Sequence, residues 1–386
     1  MLPRNDLGME TRMAVWRWFG HATMQGFCKC RVVLSTLLFI GMLWIPKVAV
    51  SEVNMVPNSF HPCSVPARAI HELSVLVLAI CSGIFVVVTA MLLFVVVRYR
   101  RRPTDNSVQE PPQIYGSSQI ELAWTVVPII ITLVLILVTA RTIGEIQNKS
   151  LPEDALTVEV IGHQWWWEVG YPQYAVKTAN EIHVPISSSI HPALTRIVLK
   201  SADVLHSFWV PQLAGKMQLV PNKINTTWIE PLKTGVYLGS CAQYCGTQHA
   251  FMLLRVIVHT QEDFQRWIAS QKGLSVGPSA AAATSRGILN RDDGDLVGSG
   301  KKTFFSTACI SCHRIDGTPA QGTFGPDLTH LMSRHTIGAG VAKNTHQNLA
   351  AWVRDPQLLK PGCLMPDMHL TPSQIHEVVA YLETLR

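Results

Sequence analysis

The sequence predicts a multidomain membrane protein: a two-helix transmembrane hairpin, an all-β sandwich and an all-α C-terminal domain. Three observations carry this. Two long runs lack charge, Leu73–Val97 ("LSVLVLAICSGIFVVVTAMLLFVVV") and Leu122–Ala140 ("LAWTVVPIIITLVLILVTA"). Residues 155–260 then break into short β-rich runs, and from about Gly294 the pattern turns helical and loop-rich. Only 15% of the 386 residues are charged, against about 25% in a soluble domain, so part of the chain belongs in lipid.

In chain order, residues 1–50 read as an N-terminal extension with a secretory signal peptide. Lys29 and Arg31 precede the short apolar run "VVLSTLLFIGMLWIP", and small residues follow in "KVAVSE". The basic start fits translation from Met24, which leaves residues 1–23 as a start-site artefact; an uncleaved anchor is the alternative. Residues 51–150 hold the hairpin. Each apolar run reaches the roughly 20 residues that cross a bilayer as a helix. Pro128 is tolerated there because neighbouring helices re-satisfy the freed carbonyl. Arg98, Arg100, Arg101 and Arg102 end the first helix, which puts that end in the cytoplasm. The N-terminus and everything after Arg141 then lie outside, in agreement with an exported start.

Residues 151–271 form the sandwich. "ALTVEVIGHQWWWEVGY", "EIHVPI", "ALTRIVLKS", "TTWIEPL", "TGVYLGS" and "FMLLRVIVHT" are short runs parted by Pro, Gly and Asn. "QEDFQRWIASQ" closes the unit as an amphipathic helix. Residues 272–293, rich in Ser, Ala and Gly, read as a flexible linker with a reach of roughly 25 Å. Residues 294–386 form the helical domain. Its last helix has Thr371 as N-cap and Ile375, Val378, Val379, Leu382 and Leu385 at helical spacing.

Charge narrows the function. Residues 1–142 hold 12 Lys+Arg against 7 Asp+Glu, and residues 143–386 hold 20 against 19. The positive surplus lies beside the membrane runs, and nothing downstream has the basic footprint of a nucleic-acid binder. Nine cysteines are an odd count, and only Cys241/Cys245 and Cys309/Cys312 have suggestive spacing.

Cys309-Ile-Ser-Cys312-His313 is C-x-x-C-H, the attachment sequence of a c-type haem. The two thiols bond the haem vinyl groups and the imidazole faces the iron. A redox dithiol or zinc half-site is the alternative. "KPGCLMPDM", about fifty residues on, offers Met365 as second axial ligand, with Met368 behind it. "GSCAQYCGTQHAFM" places Cys241, Cys245, His249 and Met252 between two strands, and His206 lies upstream in "SADVLHSFWVP". Soft sulfur and imidazole select copper, and C-x3-C lets two sulfurs bridge two coppers. A Cys2His2 zinc site, a disulfide, and Met252 as core packing stay open on ligand type alone.

These two segments closely resemble the binuclear CuA site of cytochrome c oxidase subunit II. "GHQWWWEVGYP" resembles that family's aromatic segment, and "QIELAWTVVP" the start of its second membrane helix. With the appended haem motif, the chain resembles subunit II of a caa(3)-type oxidase. The resemblance implies a cupredoxin-like sandwich and a cytochrome c domain. It implies CuA ligands His206, Cys241, Cys245, His249 and Met252, with the main-chain carbonyl of Gln243, and one covalent haem c. Many members carry Glu where this chain has Gln243; a carbonyl ligand is indifferent to the change, but a neighbouring Mg site loses its carboxylate.

The resemblance further implies that electrons enter at Trp165 and that Glu121 is the mouth of a proton path. Strand alternation puts Trp165 and Trp167 on one face and Trp166 on the other. Implied partners are oxidase subunits I and III and an external donor, a cytochrome c or a quinol–cytochrome c reductase. The implied place is the bacterial cytoplasmic membrane, with both metal domains on the periplasmic face. A quinol oxidase subunit would lack Cys241, Cys245 and Met252. A nitrous-oxide-reducing enzyme would bring a propeller and no hairpin. A copper-holding redox sensor leaves Glu121 and the Trp run unexplained.

Overall fold

The computed structural model describes residues 57–100, 113, 115–188, 192–273 and 291–386. The signal peptide and most of the linker expected from sequence lie outside the described residues.

Two long helices come first, α1 (Val65–Arg98) and α2 (Ser118–Gln147), both long and apolar enough to cross a membrane. At 1.5 Å per residue α1 spans about 51 Å, well beyond a hydrocarbon core of about 30 Å. Each helix outruns its apolar stretch. The expected spans, 73–97 and 122–140, followed charge alone and missed polar turns such as Arg68–Glu72 and Arg141–Gln147.

Among the described residues the sandwich has ten strands: β1 (Leu156–His163), β2 (Trp166–Tyr171), β3 (Val176–Ala179), β4 (Glu181–Pro185), β5 (Thr195–Ser201), β6 (His206–Trp209), β7 (Met217–Leu219), β8 (Asn225–Ile229), β9 (Gly235–Cys241) and β10 (Leu253–His259). One sheet runs β3-β2-β1-β5-β8 and the other β4-β10-β9-β6-β7. The pairs β1–β5 and β10–β4 are parallel, and the other pairs antiparallel. Alternating apolar residues fill the space between them, Val158, Val160, Trp167 and Leu199 from one sheet and Phe208, Leu219 and Val256 from the other. Asn180 takes the chain from one sheet to the other at φ 63°, a left-handed conformation Asn tolerates. Its side-chain oxygen accepts from the Trp167 amide at 2.9 Å.

Helix α3 (Gln261–Lys272) follows the expected amphipathic segment. The Thr260 hydroxyl caps it by accepting from the Asp263 amide, and Phe264 and Ile268 bury against the sandwich. Sequence reasoning missed β3, β6 and β7, which are only three or four residues long. It also began the last strand too early, because His249–Phe251 forms a 3₁₀ turn before β10.

The C-terminal part contains α4 (Arg291–Ser306), α5 (Cys309–Cys312), a short ladder of β11 (Thr336–Ile337) and β12 (Ala342–Lys343), α6 (His346–Arg354), α7 (Pro356–Leu359) and α8 (Pro372–Leu382). The haem motif therefore sits on its own turn rather than at the end of α4. Helix α8 starts with a full capping box, Thr371 with Gln374. Ile375, Val378, Val379, Leu382 and Leu385 are all buried, around Phe304, Leu349 and Val353. This part packs on the sandwich: the Leu253 amide donates to the Ala339 carbonyl at 3.1 Å, and Trp166 clusters with Ala179 and Ala339.

Candidate metal centres

Strand pairing assembles the first centre. Antiparallel β6 and β9 set Phe208 opposite Cys241, so His206 at the start of β6 meets the end of β9. The chain then loops through Cys245, and the turn His249–Phe251 delivers His249 before Met252 enters the core. Gly246 has φ 116°, and a Cβ there would lie 2.9 Å from the Trp165 ring. The loop can therefore close under Trp165 only with glycine at this position.

All the predicted ligands of this site converge. The Cys241 and Cys245 sulfurs lie 3.8 Å apart as free thiols. Around Cys241 Sγ are His206 Nδ1 at 4.0 Å and the Gln243 carbonyl oxygen at 3.1 Å. Around Cys245 Sγ are His249 Nδ1 at 3.6 Å and Met252 Sδ at 3.9 Å. Donor atoms of His206, Cys241 and Cys245 all fall within 4.8 Å of one another. His206, Cys241, Cys245 and Met252 are buried, which keeps water from the sulfurs.

The electrostatics suit a cation. A hydrogen bond from Cys245, then His206, draws Cys241 down to about 3 against the effect of burial, and the same pairing pushes Cys245 up. Burial lowers His206, but the Asp203 and Cys241 hydrogen bonds leave it raised. A pair of soft anionic-capable sulfurs, two imidazoles and a thioether without carboxylate is a donor set for copper rather than for a hard ion. Asp203, which sequence reasoning missed, holds His206 Nε2 through Oδ1 at 2.7 Å and so aims Nδ1 at the sulfurs. Its spacing three residues before His206 was the available signal.

The second centre is a largely apolar cleft of about 1420 Å³, its open mouth included, lined by Cys309, Cys312, His313, Met365 and Met368. The His313 Nδ1–H donates to the Pro326 carbonyl at 2.8 Å, which leaves Nε2 to face the cleft. A Cβ at Gly325 would lie 2.6 Å from His313 Cε1, so glycine makes room for the ring. Gln357 clamps the methionine loop, donating to the Cys363 and Met365 carbonyls at 3.0 and 3.2 Å while its own oxygen accepts from the Gly362 amide. Two thiols, a tautomer-fixed imidazole and two thioethers around an apolar slot fit a haem.

Trp165 differs from expectation. It precedes β2 in the turn after β1, so strand alternation does not govern it. Trp167 is in the core and Trp166 stacks on His163, with ring centres 4.3 Å apart. The Trp165 indole donates to the Cys245 carbonyl at 3.0 Å, and Gln164 Nε2 donates to the same oxygen at 2.8 Å. Both Trp165 and Trp166 also line the same cleft. Glu121 stands apart, exposed in the first turn of α2.

Fold and sites together define a membrane-anchored chain that joins a soft-metal centre to a haem-type pocket. Comparison with known proteins agrees. The family models "Cytochrome C oxidase subunit II, transmembrane domain", "Cytochrome C oxidase subunit II, periplasmic domain" and "Cytochrome c" match residues 53–141, 175–260 and 297–386. The chain is 32% identical over 319 residues to cytochrome c oxidase subunit 2 of Alkalihalophilus pseudofirmus, covering 81% of this chain and 85% of that one. The same-named protein of Bacillus subtilis is 29% identical over 312 residues, covering 76% and 82%. The solved periplasmic domain of oxidase subunit II of Bradyrhizobium japonicum is 29% identical, with a TM-score of 0.30, covering 32% of this chain and 97% of that one. The chain belongs to the cytochrome c oxidase subunit II family. The periplasmic-domain match implies copper, and the cytochrome c match implies haem c.

Proposed function

We propose that the chain is subunit II of a caa(3)-type haem-copper oxidase, with a binuclear CuA centre and one covalent haem c. The organisation is a hairpin over 51–150, a CuA domain over 151–271 and a cytochrome c domain over 294–386, joined by the 272–293 linker. Bound in these sites, the haem and the copper pair are one-electron carriers between an external donor and subunit I, where oxygen is reduced with proton translocation. His313 and Met365 would hold the haem iron, and Cys309 and Cys312 its periphery. His206, Cys241, the Gln243 carbonyl, Cys245, His249 and Met252 would hold the coppers.

The observation that carries the reading is the distribution of donors about two sulfurs. His206 and the Gln243 carbonyl flank Cys241, while His249 and Met252 flank Cys245. A single tetrahedral ion uses four donors around one point, whereas this set, spread about two sulfurs, would hold a pair of soft ions. The protein's part is to hold these groups rigid and dry, so that little reorganises when charge moves. Trp165, hydrogen-bonded to Cys245 and lining the cleft beside His313, is where electrons reach the copper domain, and Glu121 opens a proton path into subunit I. Both metal domains lie on the periplasmic face, because Arg98 and Arg100 hold the hairpin turn in the cytoplasm. Subunit III and a cytochrome c or quinol–cytochrome c reductase complete the partners.

The test is metal and haem analysis of the purified chain, with oxygen uptake by the assembled oxidase. Two coppers and one covalent haem per chain support the reading. One zinc per chain, or haem removable by acid acetone, would overturn it.

A further inference from the structure

Between the sandwich and the C-terminal part lies a set of buried polar contacts that the metal sites do not explain. Glu181, at the start of β4, is fully buried. Its carboxylate accepts from the His335 amide at 2.9 Å, the Thr336 amide at 3.0 Å and the Thr336 hydroxyl at 3.1 Å, and His335 Nδ1 lies 3.6 Å away. A buried carboxylate is costly unless donors satisfy it, and these donors all come from the cytochrome c part. Arg334 reinforces the spot from the same loop, donating through Nε to the Thr178 hydroxyl of β3 at 3.3 Å.

The second contact has reversed polarity. Lys360, only 3% exposed, donates from Nζ to the Trp165 carbonyl at 2.8 Å and to the Gly338 carbonyl at 3.1 Å. Lys360 also begins the methionine loop, since its carbonyl accepts from the Cys363 amide. A continuous connection follows: the clamped Met365 loop, Lys360, Trp165, and the Trp165 indole on the Cys245 carbonyl. The cleft wall confirms the juxtaposition, because Trp165, Trp166 and Asn180 of the sandwich line it beside His313, Met365 and Lys360.

We propose that Glu181 and Lys360 are positioning residues that form a two-point latch, seating the haem pocket over Trp165 for transfer within the chain. Glu181 fixes the loop 334–336 to the β3–β4 corner, and Lys360 fixes the methionine loop to the β1–β2 turn. Opposite charges at the two points give the seat one orientation. A covalent tether alone would bring the two parts near each other without selecting a face. The inference rests on the proposed electron-transfer reading.

The test uses the assembled oxidase with Glu181→Gln or Lys360→Met. Haem and copper spectra are recorded first, then haem-to-copper transfer after flash reduction, then amide hydrogen exchange. With unchanged spectra, transfer is expected to slow at least tenfold, and exchange at Thr336 and Leu253 to rise, while haem reduction by a small external reductant keeps its rate. Unchanged transfer and exchange in both variants would overturn the latch. Absence of the copper or haem signal in the unmodified oxidase would instead overturn the electron-transfer reading. Should Glu181→Gln block assembly, Lys360→Met carries the test, since it keeps the buried stem and removes only the ammonium.

Discussion

Replacing Asp203 by Ala should weaken copper binding without unfolding the sandwich. Asp203 Oδ1 lies 2.7 Å from His206 Nε2, while the same side chain accepts from the Val204 and Gln164 amides at 2.6 Å each. With a cation on Nδ1, the His206 Nε2–H to carboxylate bond is charge-assisted, of a kind that contributes about 1.5–3 kcal/mol. The Asp203 side chain is 30% exposed, so water replaces part of it and the lower half of that range applies. At about 1.4 kcal/mol per decade, this is a loss of roughly 10- to 40-fold in affinity, within the range for partners of metal-bound histidines. Asp203→Asn keeps one acceptor and should fall between. Copper competition against a calibrated chelator reads the affinity, and circular dichroism checks the fold. Wild-type affinity in a folded Asp203→Ala protein would refute the claim that Asp203 aims His206.

Three more outcomes follow from the geometry. Gly325→Ala should displace the His313 ring, since the new Cβ would sit 2.6 Å from Cε1; overpacking of about 1–3 kcal/mol is expected as lowered thermal stability, with a high-spin haem fraction in the optical spectrum. Met365→Leu should abolish the methionine–iron charge-transfer band while Met368→Leu keeps it; the reverse would reassign the axial ligand. Glu168 is held down to about 2, first by its hydrogen bond with His163 and then by Lys177, against burial. Its folded value lies below the ordinary 4.5, so its stabilisation is complete above that pH and is lost as pH falls toward about 2. Glu168→Gln should flatten the dependence of the thermal midpoint on pH in that window.

Much of the architecture was legible because single elements announce themselves. Charge-free runs of membrane length, C-x-x-C-H and the last helix, α8, depend on local pattern, and each appears in the structure. The expected copper ligands were legible as residue types and as a set, but how they meet was not, since His206 and Cys241 come together through β6–β9 pairing. Trp165 shows the limit of local reasoning. Strand alternation assigned it a face, yet the turn after β1 removes it from the strand and hands its indole to Cys245. Glu181 and Lys360 carried no signal at all. An acidic residue opening a strand and a lysine before Pro-Gly look like surface groups, and only a contact across more than 150 positions buries them.

The central claim is that two coppers share the Cys241–Cys245 sulfurs beside a covalent haem. An electron paramagnetic resonance spectrum of the oxidised, copper-replete protein, recorded with its near-infrared absorption, tests this most directly. Hyperfine structure from one unpaired electron spread over two equivalent copper nuclei is expected, alongside a c-type haem signal. Haem without a copper signal, or the spectrum of an isolated single copper ion, would contradict it.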